Sequence, residues 1–232
     1  MALPLYLAMT ATEMRGNVPI PDKFAYMACH FSPYGTGLSN IPQALPSGSM
    51  LILNDRIPVC GHDKHLIANQ LADLTDRCSC ECILLDFQRP DVKETAELAE
   101  FIFQTLSCPV GVSLPYAGKT DCPVFLPPVP PDVPIGEYLV PWGGREVWLE
   151  AALDGQVITV SESGSSTAPL FPWERPEEGQ QDAVLHCRYL IHMGNDVRFT
   201  LFRTPENLDA LLAEAETLGV TRAVGLWQEL GR

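Results

Sequence analysis

Glu81-Cys82-Ile83-Leu84-Leu85-Asp86-Phe87-Gln88 decides the fold. It is a short, almost unbroken apolar run that ends in polar groups. Strands covered on both faces of a parallel sheet read this way, because neither face meets water. A strand also sets a two-residue period, so Cys82, Leu84, Asp86 and Gln88 share one side. Similar runs stand before and after it: Leu3–Met9, Phe24–Cys29, Met50–Leu53, Val110–Leu114 and Val124–Leu126.

Two helical stretches flank the central run. His62–Arg77 carries Leu66, Ile67, Gln70, Leu71 and Leu74 at helical spacing, and Val92–Leu106 carries Ala96, Leu98, Ala99, Ile102, Phe103 and Leu106. Strand, helix, strand, helix, strand predicts right-handed βαβ units. Lys119–Pro141 is dense in proline, which predicts a rigid extended connection with at most one short strand. Glu146–Ser161 reads as a hairpin turning at Asp154-Gly155. Gly164–Gln181 reads as an exposed loop. His186–Met193 and Val197–Arg203 form a second hairpin across Gly194-Asn195-Asp196. Thr204 then caps a helix with Pro205 at its first position, which runs to about Leu218 and stops at Gly219. Arg222–Trp227 is a last strand.

These elements predict one α/β domain over residues 1–232: a compact (β/α)8 TIM-like barrel with reduced helices and a hairpin-rich C-terminal half. An open doubly wound sheet is the alternative. No Gly-rich phosphate loop follows the first strand, so no nucleotide cofactor is expected, nor any other.

Bulk properties narrow the ligand class. The chain has 232 residues, of which 29 are acidic and 15 basic, giving a formal net charge of −14. Such an excess repels nucleic acid and anionic membranes. No stretch approaches the roughly 20 apolar residues of a membrane span. The apolar N-terminus lacks a basic leader region, so a cytoplasmic protein with reduced thiols is expected. Cys78, Cys80 and Cys82 form a C-x-C-x-C run without a second ligand pair, and no metal site is expected. Nothing in the pattern specifies an oligomeric state.

In a barrel the C-terminal strand ends build the site. His30 and Ser32 follow the second run; Asn54, Asp55 and Arg56 follow the third. Asp86, Gln88 and Arg89 end the fourth, Tyr116 follows the fifth, and Trp227, Gln228 and Glu229 end the last. Hydrogen-bonding groups beside flat rings are what a carbohydrate site needs. Each has a plainer reading: Asn54-Asp55 as a turn cap, Asp86 as an ion-pair partner of Arg56 or Arg89, and His30 and Trp227 as packing groups.

The segment Glu81–Gln88 resembles the signature strand of glycoside hydrolase family 18, the chitinase-like family, which reads D-G-x-D-x-D-W-E. Glu81 stands at the first position, Leu84 replaces the middle Asp, Asp86 keeps the last Asp, Phe87 keeps an aromatic ring, and Gln88 replaces the catalytic Glu. Gly219–Gly231 is similar to that family's last strand, where a Trp, here Trp227, floors the sugar site. The resemblance implies a TIM barrel in which Asp86 orients the substrate's acetamido group. An amide at position 88 delivers no proton, so it also implies a non-catalytic or weakly active barrel that binds a glycan or small ligand. Asp86, Gln88, Trp227, Tyr116, Asn54, Asp55 and His30 are the expected contacts. An active glycosidase with Asp55 or Glu229 as the acid is the second expectation. A protein-interaction module with a vestigial pocket is the third.

Overall fold

The computed structural model describes residues 2–16, 18–35, 37–59, 61–89 and 92–231. The chain opens with β1 (Leu5–Met9), a short α1 (Ala11–Arg15), β2 (Phe24–Phe31), β3 (Leu38–Ser39) and β4 (Met50–Asn54). It continues through α2 (Lys64–Cys78), β5 (Cys82–Asp86), α3 (Lys93–Thr105), β6 (Val110–Ser113), β7 (Val124–Leu126), α4 (Ile135–Leu139) and β8 (Val147–Ala151). Five strands come next: β9 (Gly155–Ser161), β10 (Gly164–Pro169), β11 (Gln180–Asp182), β12 (Cys187–Met193) and β13 (Val197–Phe202). The chain closes with α5 (Pro205–Thr217), β14 (Val220–Leu226) and α6 (Trp227–Leu230).

Eight parallel strands close into a barrel in the order β1-β2-β4-β5-β6-β7-β8-β14, and β14 returns to β1 through Leu5↔Ala223. The six early apolar runs therefore read correctly, and so does the barrel. Its helical layer is reduced as expected. Only α2, α3 and α5 exceed three turns, and the other helices are single short turns. Leu71, Ile67 and Leu74 of α2 and Leu98 and Ile102 of α3 pack on the outside of β2, β4, β5 and β6. Leu208, Leu211 and Leu212 of α5 cover β7, β8 and β14.

The barrel interior is a third packed layer, formed by Tyr6, Ala8, Ala25, Met50, Ile52, Cys82, Leu84, Phe125, Trp148 and Val224. Trp148 fills its centre. A Cβ on Gly111, two strands away on β6, would lie 2.5 Å from the Trp148 ring, so position 111 must be glycine for the ring to fit. The Trp148 Nε1–H donates to Glu146 Oε1 at 3.0 Å, and the Arg222 guanidinium lies 4.9 Å over its ring.

Four sequence expectations are corrected. Glu146–Ser161 is not a hairpin: Val147–Ala151 pairs in parallel with β7 and β14, and the chain then leaves the barrel. Gly155 serves close approach rather than a turn, since a Cβ there would sit 3.1 Å from Leu170 and 3.2 Å from the Leu201 carbonyl. The supposed loop Gly164–Gln181 supplies β10 and the start of β11. With β9 and the correctly read β12–β13 hairpin, these make a five-stranded antiparallel sheet, ordered β10-β9-β13-β12-β11. The proline-rich segment holds α4, with Pro134 as its cap, because proline is tolerated at a helix start.

Arg203 joins this second sheet to the barrel. It is 1% exposed, and its guanidinium donates to the carbonyls of Val129 and, at 3.3 Å, Pro130. The Thr204 cap with Pro205 at the first helical position is as read, and the helix ends before Gly219 at φ 94°.

Candidate active site

A cleft of about 780 Å3 opens at the C-terminal ends of the barrel strands. Its lining brings together His30, Asn54, Asp55, Asp86 and Gln88, five of the seven expected contacts. Glu150 also lines it. Val224, Leu226 and Phe125 contribute apolar surface.

The strand period explains the central pair. Cys82 and Leu84 point into the barrel, and the next residues on that side, Asp86 and Gln88, emerge into the cleft. The Gln88 side-chain amide donates to Asp86 Oδ1. Burial pushes the Asp86 carboxyl above its usual range; the Gln88 hydrogen bond opposes this and the negative charge of Asp55 adds to it.

Asp55, in the cleft lining, also holds the backbone that follows β5. It is 4% exposed, and its two oxygens accept the backbone N–H groups of Gln88 (3.0 Å) and Arg89 (2.9 Å). Ser113 Oγ donates to the Phe87 carbonyl at 2.6 Å. Tyr116 is fully buried; its hydroxyl donates to the Arg89 carbonyl and its ring meets Phe87 edge-on at 6.1 Å. Tyr116 is thus absent from the cleft lining and braces the loop from outside the barrel. Together these groups fix the backbone at 87–89, and so fix Gln88.

On the other flank, Asn54 Nδ2 donates to the carbonyls of Met27 (3.3 Å) and Cys29 (3.0 Å), and its Oδ1 accepts from Arg56 N–H. His30 Nε2 lies 3.1 Å from Asn40 Nδ2, and Nδ1 lies 2.8 Å from the Phe31 carbonyl.

Trp227 is not in the cleft lining. β14 ends at Leu226, so Trp227 begins α6 and the strand alternation no longer applies. Its half-buried ring packs against the outer core, and a Cβ on Gly231 would lie 2.2 Å from it. Glu229 is not in the cleft lining either. It accepts the Leu153 N–H at 2.6 Å and lines a separate cavity. Glu81, the first position of the signature, sits at the opposite end of the strand, paired with Lys23 at 2.5 Å.

Glu150 is the acid that sequence reading missed. It follows Trp148 on the inward side of β8, half-buried. Burial raises its carboxyl to about 7, helped by the negative charges of Asp154, Asp86 and Glu229. One acid inside an otherwise apolar strand, Val-Trp-Leu-Glu-Ala, was the available signal.

Among the described residues no group of His, Cys, Asp or Glu is placed to hold a metal ion. The seven described cysteines are free, and Cys60 lies outside the described residues. The C-x-C-x-C run is split: Cys78 packs in the outer core, whereas Cys82 faces the barrel interior. Burial raises the Cys82 and Cys80 thiols to about 12. Among the described residues, no helix is long and apolar enough to cross a membrane.

No protein-family model matches the chain, and no curated protein matches its sequence. Solved structures do match. The chitinase of Chromobacterium violaceum superposes with a TM-score of 0.59 at 8% identity, covering 97% of this chain and 93% of that one. The spore cortex-lytic enzyme SleL of Bacillus megaterium gives 0.58 at 12% identity, covering 99% and 71%. The chitinase-like agglutinin of Robinia pseudoacacia gives 0.56 at 10% identity, covering 95% and 93%. The chain therefore has the fold of chitinase-like, glycoside-hydrolase-type barrels.

Proposed function

We propose that the chain binds a glycan in the rim cleft and does not cleave it. One observation carries this reading: the Gln88 amide stands beside Asp86 in the open cleft, where glycoside cleavage would need a carboxylic acid. Asp86 and Gln88 offer hydrogen-bond partners for hydroxyl or acetamido groups, Asn54 and His30 shape the flank of the cleft, and the apolar wall of Val224, Leu226 and Phe125 faces the sugar ring. The likeness in fold to chitinases and to a chitinase-like agglutinin supports an N-acetylated sugar as the ligand. The experiment is to assay chitin oligosaccharides with the natural chain and with Gln88→Glu. The natural chain binds without turnover, and Gln88→Glu gains hydrolysis. Turnover by the natural chain at ordinary enzymatic rates overturns the reading.

Glu150 supports a second reading, an active glycosidase. Burial raises the Glu150 carboxyl to about 7, which favours the protonated form that a general acid needs, and Glu150 shares the cleft with Asp86. Under this reading the natural chain cleaves oligosaccharides, Glu150→Gln abolishes cleavage, and Gln88→Ala spares it. The acids first read for that role fit less well, since Asp55 holds two backbone amides and Glu229 holds a third.

A further inference from the structure

A second cavity, of about 550 Å3, lies beside the cleft and shares Leu226 with it as a common wall. It is lined by Phe171, Arg175, Asp154, Gln228 and Glu229, among others. At its edge the rings of Phe171 and Trp173 stack, with centroids 4.8 Å apart and planes within 3°. Trp173 is 78% exposed and Phe171 47%. Other large apolar side chains are also open, among them Tyr34 and Met193, but here two adjacent rings stack on each other next to a cavity, which packing does not explain.

The pair is held in place by its own backbone. Pro172 opens a single turn from Pro172 to Glu174, the Phe171 N–H donates to Glu174 Oε2 at 3.1 Å, and Glu174 N–H donates to the Phe171 carbonyl at 2.9 Å. On either side, Leu170 N–H donates to the Gly155 carbonyl at 2.9 Å and the Arg175 guanidinium donates to the Leu153 carbonyl. Phe171 backs one face of the Trp173 ring. A flat, open ring backed by a second ring that lines a cavity with polar side chains is a stacking platform for the apolar face of a sugar.

We propose that Trp173, backed by Phe171, is a distal sugar-stacking subsite, so that the ligand is an oligosaccharide running from Asp86 past Leu226 to Trp173. This rests on the reading of the rim cleft as a glycan site, and it adds ligand length and direction. Arg175, Gln228 and Glu229 flank the outer sugars.

The test is calorimetric titration of two-sugar and six-sugar chitin oligosaccharides into the natural chain, Trp173→Ala, Trp173→Phe and Asp86→Ala. The natural chain binds six sugars more tightly than two. Trp173→Ala removes that advantage, weakening six-sugar binding by about three- to tenfold, and Trp173→Phe restores part of it. Asp86→Ala weakens both ligands. Trp173 is a surface residue, so its variants fold. Six-sugar affinity untouched by Trp173→Ala, while Asp86→Ala still weakens binding, overturns the platform and leaves the cleft standing. Failure of the natural chain to bind either sugar overturns both.

Discussion

Two strand ends looked alike in sequence: Leu85-Asp86-Phe87-Gln88 on β5 and Gly225-Leu226-Trp227-Gln228 on β14. Each joins an apolar strand to an aromatic residue and an amide. In the fold they part. The chain after β5 forms no helical turn at 87–88, and Gln88 lines the cleft beside Asp86 as the strand period predicts. The chain after β14 turns at once into α6, and the change of period sends Trp227 to the outside. Alternation along a strand predicts orientation only as far as the strand lasts. Past β5, residues 87–89 are held by two N–H groups that donate to Asp55 and by the Ser113 and Tyr116 hydroxyls, which donate to the Phe87 and Arg89 carbonyls. The backbone at 227 instead bonds locally, with Gly231 N–H donating to the Trp227 carbonyl at 2.7 Å.

The contrast is testable from its largest effect downwards. Trp227→Ala loses about 2–3 kcal/mol of stability, less than a fully buried Trp would because the ring is half-exposed, and it leaves glycan affinity unaltered. Chemical denaturation with sugar titration checks both, and an affinity loss at unchanged stability returns the ring to the site. Asp55→Ala leaves two N–H groups without their acceptor and costs about 2 kcal/mol, with Asp55→Asn in between. Amide exchange at residues 88 and 89 rises in both, and unchanged exchange there refutes the bracing role.

Asp86→Ala behaves oppositely to Trp227→Ala. It weakens sugar binding by about 1–2 kcal/mol and barely changes stability, because the carboxylate it removes is one that burial disfavours. A large loss of stability without loss of binding refutes it. The smallest effect concerns Glu150. Its carboxyl is raised in the fold, so the folded state holds the proton more tightly than the unfolded chain. That contribution is complete below the ordinary glutamate range near 4.5 and disappears as pH rises through about 7. Partial exposure limits it to about 1 kcal/mol. Glu150→Gln removes this slope between those pH values, while the raised Asp86 and Asp154 titrate in both proteins. Identical slopes place the Glu150 carboxyl in an ordinary environment.

The barrel was legible because strands covered on both faces must be apolar at nearly every position. The runs at β1, β2 and β4 to β7 could hardly be read as anything else. The second sheet was not legible as a unit. Its β10, Gly-Ser-Ser-Thr-Ala-Pro, is exposed throughout and carries no apolar alternation. Asp154-Gly155 has the composition of a tight turn, although Gly155 is there for the close passage of Leu170 and Leu201. In the site, the alternation of β5 gave Asp86 and Gln88 their places. Asp55 and Tyr116 were recognised as belonging near the rim, but a side chain that serves the backbone has the same one-letter code as one that serves a ligand. Glu150 was hidden by the false hairpin, which cut β8 away from the barrel.

The Trp148 ring, fitted against Gly111, also sets the depth of the cleft. It closes the barrel a single layer beneath Glu150, leaving no shaft down the axis. A ligand of the kind proposed would therefore be distinguished along the rim and not by how far it can descend. The two positions are also yoked: any side chain at 111 requires a smaller residue at 148, whereas shrinking 148 alone would turn a shallow saucer into a well. On the proposed glycan reading, Trp148→Ala shifts binding from long, flat ligands towards short, bulky ones.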